Sequence, residues 1–296
     1  MNYSEKYSYS PSEAEVSAAL RGIAEKSRSL ASPEVFKTCF SFMDLTTLRS
    51  QDTVQSVKNL VDKVVRLQKE YPDYPLPASV CVYPNFASVV RDCRPSPELH
   101  VTTVASCFPS AQSFLEVKVR ECELAVENGA DEVDIVLALN AFLAGDYKAA
   151  FDEIVAMRKA LDAAAQKQGR SVILKVILET GLLKTPEKIA DASFLAMEAG
   201  ADFIKTSTGK VEVNATPEAA YTMCRCIKAF HEKTGRKVGF KAAGGISNAD
   251  DALYYYGIGL SVLGAEWMNK DLFRYGVSRL GNSLIGAIEG REIVFF

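Results

Sequence analysis

The sequence predicts an α/β protein built as a (β/α)8 TIM barrel with an additional N-terminal helix. Eight short apolar runs alternate with stretches of helical periodicity. The runs are nearly continuous in apolar residues, as in strands that are buried on both faces of a parallel sheet. The 296 residues, 48% of them hydrophobic, suffice for one large core. We therefore expect residues 1–33 to form an N-terminal extension with a helix, and residues 34–296 to form a single barrel domain.

The elements can be assigned in chain order. The N-terminal helix is predicted over residues 11–31, because Val16, Leu20 and Ile23 fall on one helical face. Strands are predicted at residues 38–45, 79–83, 100–105, 132–139, 172–179, 202–207, 238–243 and 260–263. The main helices between them are predicted at residues 52–71, 114–128, 147–166, 187–199, 218–234 and 248–256. Eight sequential strand–helix units favour a closed barrel over an open doubly wound sheet.

Composition excludes several classes of partner. A net charge of −3, from 34 basic and 37 acidic residues, provides no basic field for nucleic acid or for an anionic membrane. Seven scattered cysteines, an odd number, favour reduced thiols and a cytoplasmic location, and no run is long enough to span a membrane. With only His100 and His231 available, we expect no metal site, and nothing in the sequence calls for a cofactor.

Charged residues interrupt the apolar strands, and in a barrel the carboxyl ends of the strands form the active face. Burial of an unpaired charge is costly, so these side chains are expected to meet in a shared site. Lys175 alone could instead bridge a carboxylate structurally, and Asp44 and Glu179 could cap the backbone that follows the strand ends. The charged positions near strand ends are Asp44, Asp134, Lys175, Glu179, Lys205 and Lys241.

Glycines after two of these strands predict a phosphate site. Gly244 and Gly245 follow one strand, Gly209 and Lys210 follow another, and both loops offer unhindered backbone N–H groups. Residues 274–279, interpreted as the loop after strand eight, add a glycine, a hydroxyl and a cation. Loops after strands seven and eight commonly hold phosphate in such barrels.

These stretches resemble the deoxyribose-phosphate aldolase family, class I aldolases on a (β/α)8 barrel. The matching residues run in family order through most of the chain, at 43–48, 81–84, 131–134, 174–181, 203–210, 213–218 and 238–245. The resemblance implies an aldehyde-lyase of deoxyribonucleotide and carbohydrate catabolism. It would cleave 2-deoxy-D-ribose 5-phosphate reversibly to glyceraldehyde 3-phosphate and acetaldehyde through a lysine Schiff base.

The resemblance also implies roles for individual residues. Lys205 matches the Schiff-base lysine. Asp134 and Lys241 match the aspartate and the second lysine that donate and accept protons, and Lys241 would also lower the pKa of Lys205. The positions matched to substrate binding are Lys175, Asp44, Cys81, Thr206, Gly209, Lys210, Gly244, Gly245, Gly276 and Ser278. Neither metal nor cofactor is implied, and a homodimer would be compatible with the family.

The chain departs from the family pattern at three places. Ala242 stands where many relatives have proline, Arg279 stands where bacterial relatives often have a second serine, and residues 293–296 lack the tyrosine that such relatives carry at their end. Two other functions stay open at this point. The protein could be another Schiff-base aldolase for phosphosugars on the same barrel, or a phosphosugar-binding barrel without catalysis.

Overall fold

Eight parallel strands close into a barrel in the order of the chain, in a computed structural model that describes residues 3–296. This confirms the predicted (β/α)8 class. The strands are β1 Met43–Thr46, β2 Ser79–Val82, β3 His100–Val104, β4 Glu132–Val136, β5 Ile173–Ile177, β6 Phe203–Lys205, β7 Gly239–Ala243 and β8 Phe273–Val277.

Thirteen α-helices are found in the described part of the chain, and most of them form the outer layer. They are α1 Tyr3–Tyr7, α2 Glu13–Arg28, α3 Pro33–Ser41, α4 Val54–Glu70, α5 Ala87–Cys93, α6 Leu115–Glu127, α7 Leu139–Leu143, α8 Tyr147–Gln166, α9 Thr180–Leu183, α10 Pro186–Glu198, α11 Pro217–Thr234, α12 Ala249–Leu263 and α13 Leu280–Glu289. Within residues 3–296, no helix combines the length and the apolar character that a membrane span needs.

The strand register brings the charged residues to neighbouring positions. Lys205 on β6 lies beside Lys241 on β7, and Asp134 on β4 lies beside Lys175 on β5. Along β4, Val133 and Ile135 belong to the apolar core, whereas Asp134 between them contacts side chains from other strands inside the barrel. Alternation within a strand therefore separates an apolar outer face from a charged inner one.

The prediction of strand eight at residues 260–263 is wrong. Those residues are the last turn of α12, which is buried on several sides and so lacks a clear polar face. The eighth strand is β8, inside the segment that was interpreted as a loop. Arg274 made this segment look like an exposed loop, because an arginine is rarely found in a buried strand unless carboxylates pair with it. Those carboxylates come from distant parts of the chain, so the local sequence does not show them.

The start of the chain also differs from prediction. Residues 38–41 are not strand but the end of α3, whose start is capped by the Ser32 hydroxyl accepting from the Val35 N–H at 3.2 Å. The predicted helix over residues 11–31 is present as α2, so three helices rather than one precede β1. The division of domains at residue 33 coincides with the first residue of α3 and stays a prediction.

The N-terminal helices are fastened to the outer ring by aromatic and polar contacts. The Tyr7 ring stacks on Phe194 of α10 at 4.3 Å, and its hydroxyl donates to Glu198 at 2.7 Å. Helix α2 packs on α11 and α12, where the buried Ser27 lies against Gly257. The N-terminal segment is thus part of the packed structure.

The contact between α2 and α12 can be tested with two glycines. A methyl group at Gly257 would lie 2.8 Å from Ser27 Cβ and closer still to its Oγ, whereas one at Gly22 on α2 would meet open space. We expect Gly257→Ala to lower the free energy of unfolding by about 1–3 kcal/mol. Gly22→Ala should raise it by about 0.5–1 kcal/mol. Urea titration of both variants measures this, and equal effects would contradict the proposed close packing.

Candidate active site

Lys205 connects the barrel interior to an open cleft. It is the last residue of β6, only 4% exposed, and it lines a cleft of about 670 Å³ at the carboxyl ends of the strands. The other charged strand residues, among them Asp134, Lys175 and Lys241, are fully buried below it. Of the three site lysines, Lys205 is therefore the one that a molecule in the cleft could reach.

Three lysines share the carboxylate of Asp134. Lys205 Nζ and Lys241 Nζ each lie 2.8 Å from Asp134 Oδ2, and Lys175 Nζ lies 2.9 Å from Oδ1. Because they contact the same oxygen, the amines of Lys205 and Lys241 are separated by no more than twice that distance. The structure thus brings together the three residues that the sequence predicted as catalytic.

A second layer of charges lies deeper in the barrel. Arg274 binds Asp44 Oδ1 at 2.5 Å and places two nitrogens on Glu132, at 2.7 and 3.1 Å. Glu132 also accepts from Lys175 at 2.5 Å, and Asp44 is paired with Lys241. Asp44 therefore does not cap the backbone.

Sequence reasoning did not single out Glu132 or Arg274 as site residues. Glu132 could have been found, because it lies two residues before Asp134 and so points to the same face of the strand. For Arg274 the only signal would have been a correct assignment of β8.

Burial lowers the pKa of each of the three lysines, whereas the neighbouring carboxylates raise it. Burial lowers the pKa of Lys205, and the ammonium of Lys241 lowers it further, although Asp134 opposes them. Burial would also lower the pKa of Lys241, but Asp134 and Asp44 together raise it. For Lys175, the carboxylates again outweigh burial and raise the pKa. Lys205 is consequently the one of the three site lysines whose pKa is lowered.

The carboxyl groups are held in their ionised forms. Burial alone would raise the pKa of Asp134, but Lys175, Lys205 and Lys241 hold it well below its ordinary value. Asp44 and Glu132 behave alike, because nearby lysines and Arg274 outweigh the effect of burial on their pKa. The interior carboxylates can therefore accept protons but do not hold them at neutral pH.

The loop after β6 is fixed by its own hydrogen bonds. Glu179, in the left-handed conformation at φ 55°, accepts from the Thr208 N–H at 3.1 Å and from its hydroxyl at 2.5 Å. The buried Thr206 hydroxyl donates to the Ala243 carbonyl and accepts from the Ala243 N–H, which ties β6 to β7. Lys210 Nζ donates to the Leu48 carbonyl at 2.6 Å. This loop is thus held in place before any ligand arrives.

Most of the predicted phosphate residues border the cleft. Gly209, Gly244 and Gly245 have φ of 78°, 83° and 84°, conformations that suit glycine. A side chain at Gly244 would collide with Asn214, and a methyl group at Gly276 would lie 2.8 Å from Ala243 Cβ and 3.1 Å from Lys241 Cε. The predicted residues on the cleft wall are Lys205, Gly209, Lys210, Gly244, Gly245, Gly276 and Ser278, and Arg279 joins them.

Other residues of the prediction lie elsewhere or behave differently. Cys81 is fully buried beside Leu48 and Val104, and burial raises its thiol pKa. Together with the buried Asp44, Lys175 and Thr206, it contacts no cleft space, so a direct role of these four residues in substrate binding stays a prediction. Sequence reasoning missed two further cations on the cleft wall, Arg49 and Lys63.

The structure shows where the three departures from the family pattern lie. Ala242 is buried in β7, and Arg279 immediately precedes α13, exposed at the cleft. Asn282 Oδ1 accepts from the backbone N–H groups of Phe295 and Phe296 at 2.9 and 2.7 Å. Phe296 thereby reaches the cleft wall with an apolar ring.

The interior carboxyls predict an acid-sensitive fold. Their folded pKa values lie below the unfolded ones, so they stabilise the protein fully above about pH 4 and progressively less as pH falls below that value. We expect these three groups to account for a loss of about 4 kcal/mol in the free energy of unfolding between pH 6 and pH 3. Urea titrations across this range measure the loss. In Asp44→Asn, the loss in the free energy of unfolding between pH 6 and pH 3 should be about 1 kcal/mol smaller than in the wild type. A wild-type free energy of unfolding that does not change with pH would refute the prediction.

Comparison with known proteins shows the relationship of this chain. A model described as DeoC/LacD family aldolase matches residues 38–269. The deoxyribose-phosphate aldolase of Bos taurus is 42% identical over 248 residues, or 80% of this chain and 76% of that protein. The human deoxyribose-phosphate aldolase is 40% identical over 250 residues, or 81% and 76%.

Solved structures show the same fold. The deoxyribose phosphate aldolase of Aeropyrum pernix, described as tetrameric, matches with a TM-score of 0.65 and 24% identity, covering 95% of this chain and 98% of that one. The resemblance that the motifs indicated is confirmed by the family model and by the two mammalian relatives. On these grounds the chain belongs to the DeoC/LacD family of aldolases.

Proposed function

We propose that this protein is a class I aldolase that reversibly cleaves 2-deoxy-D-ribose 5-phosphate to glyceraldehyde 3-phosphate and acetaldehyde through a Schiff base on Lys205. The observation that carries the proposal is the position of Lys205: it opens into the cleft, and its pKa is lowered while those of Lys175 and Lys241 are raised. The names of the mammalian relatives support the choice of substrate.

Lys205 acts as the nucleophile. At an ordinary pKa near 10.4, only about one lysine in 2,500 is neutral at pH 7, so a lowered pKa increases the supply of free amine. The amine adds to the C1 aldehyde of the open-chain sugar, and loss of water yields an iminium. This cation can accept the electron pair that is released when the C2–C3 bond breaks, which an aldehyde does far less well.

Asp134 and Lys241 move the protons. Asp134 is ionised and its Oδ2 touches both amines at 2.8 Å, so it can accept a proton at one step and return it at another. Removal of the proton from the 3-hydroxyl releases glyceraldehyde 3-phosphate and leaves an enamine on Lys205. Protonation of the enamine and hydrolysis of the resulting iminium then release acetaldehyde. Lys241 is an ammonium before substrate binds and lowers the pKa of Lys205, and it can exchange a proton through Asp134 Oδ2, the oxygen that both amines contact.

In this proposal the phosphate binds at the glycine-containing loops that line the cleft. Gly209, Gly244 and Gly245 offer backbone close to the cleft, and the cationic side chains of Lys210 and Arg279 line the same space. Binding energy at this non-reacting end orients the aldehyde toward Lys205.

Two alternatives are distinguished by substrate. A Schiff-base aldolase for a bisphosphate would use further cations, and Arg49 and Lys63 line the cleft, so fructose 1,6-bisphosphate belongs in the same assay. A binding barrel without catalysis would bind the phosphosugar without releasing acetaldehyde. Cytoplasmic location, a catabolic role and a homodimeric state stay predictions.

Covalent trapping tests the nucleophile. Borohydride added with 2-deoxy-D-ribose 5-phosphate should fix a reduced adduct on Lys205, which peptide mass spectrometry locates. Lys205→Ala should lower acetaldehyde release by about a thousandfold or more, because the covalent route is lost. An adduct confined to Lys175 or Lys241, or an active Lys205→Ala enzyme, would refute the assignment.

Arg279 tests the phosphate end. We expect Arg279→Met to raise KM for the phosphosugar about tenfold, since one cation that faces the phosphate is lost. Activity toward unphosphorylated 2-deoxyribose should not change, and Arg279→Lys should retain part of the affinity. Arg291→Met, at an exposed arginine away from the cleft, is the matched control. Equal KM values for the Arg279 variants and wild type would exclude Arg279 from the phosphate site.

A further inference from the structure

The buried charges form a closed ring of alternating sign. Each member contacts an oppositely charged neighbour on either side, by the distances given above or, for Asp44 and Lys241, by direct pairing. One further contact crosses the ring, from Lys175 Nζ to Asp44 Oδ2 at 3.6 Å. We call this set the charge ring. Its members in order are Arg274, Asp44, Lys241, Asp134, Lys175 and Glu132, from which the ring returns to Arg274.

The charge ring is balanced without Lys205. It holds three cations and three carboxylates, and each member is at most 1% exposed, so solvent screens these charges little. Lys205 stands outside the ring and touches it only at Asp134 Oδ2, an oxygen that already accepts from Lys241. An ammonium on Lys205 would therefore be a seventh charge without a counter-charge of its own.

The strands around Lys205 contribute few other titratable groups to the barrel interior. Strand β2 contributes the Cys81 thiol, which burial keeps protonated, and β3 contributes Thr102 to the interior. His100, at the start of β3, lies with Nδ1 2.6 Å from Glu132 Oε1. The remaining charged groups that face Lys205 on β1, β4, β5, β7 and β8 are members of the charge ring.

We propose that Glu132 and Arg274 are positioning residues that complete the charge ring and so leave Lys205 as the one interior cation without a counter-charge, keeping its amine free to attack a carbonyl. Neither residue lines the cleft, and both act through Asp44, Lys175 and Asp134. The catalytic consequence of this inference rests on the proposed function of Lys205.

If the charge ring acts in this way, substitutions at Glu132 and at Arg274 should shift the pKa of Lys205 in opposite directions. Glu132→Gln removes a negative charge, leaves the ring with a net charge of plus one, and should lower the pKa of Lys205. Arg274→Met removes a positive charge, leaves a carboxylate in excess, and should raise it. For a unit charge about 10 Å away at an effective dielectric constant of about 20, each shift should be about one pH unit. The double variant restores neutrality and should return the pKa close to its wild-type value.

The measurement uses no substrate. Each variant is treated with formaldehyde and cyanoborohydride between pH 7 and pH 10, and methylation of individual lysines is followed by peptide mass spectrometry. Lys148, whose side chain is 84% exposed, serves as reference in the same samples. The pH of half-maximal labelling of Lys205 should fall in Glu132→Gln, rise in Arg274→Met and recover in the double variant.

Other outcomes overturn the inference. Shifts of the same sign in both single variants, or no shift in either, would show that these residues merely support the fold. If one single variant does not fold, Asp44→Asn, which also removes a negative charge, and the double variant decide the case by the same criteria. If the two single variants show the opposite shifts, but the wild-type enzyme forms no adduct on Lys205 with 2-deoxy-D-ribose 5-phosphate, only the proposed function is refuted.

Discussion

One carboxylate at the centre of the barrel, that of Asp134, accepts from three lysines delivered by β5, β6 and β7. Without Asp134, three ammonium groups would face one another in a space almost closed to water, which would be strongly unfavourable. The parallel register makes the arrangement achievable, because Lys175 lies beside Asp134 and Lys205 beside Lys241. The same backbone pairing that closes the sheet therefore also brings the site residues together.

The two regions of the site differ in how they are built. The reacting region lies on strands, where packing fixes each side chain, and it is almost completely buried. The opposite region lies on loops whose glycines adopt left-handed conformations and whose cations remain exposed. Rigid strands suit groups whose distances must hold within tenths of an ångström, whereas loops suit contact with a charged end that arrives from solvent.

Much of the fold and the principal residues could be predicted from the sequence. Apolar strands interrupted by Lys205, Asp134 and Lys241 are conspicuous, since a charge in such a run demands a partner. Arg274 escaped notice because its partners, Asp44 and Glu132, are 230 and 142 residues away, so no local pattern could show that the arginine is buried. The end of α12 was interpreted as a strand for a related reason, because a short apolar run reveals its period only when its surroundings are known.

The charge ring also constrains how relatives of this chain can diverge. Replacing one of the six members by a neutral residue leaves a buried charge without a counter-charge. Single substitutions in the charge ring should therefore be selected against. Substitutions at Glu132 and Arg274 should instead occur together, as a neutral pair replacing a charged one. In an alignment of the family, these two columns should covary, although the residues lie on strands on opposite sides of the barrel and neither lines the cleft.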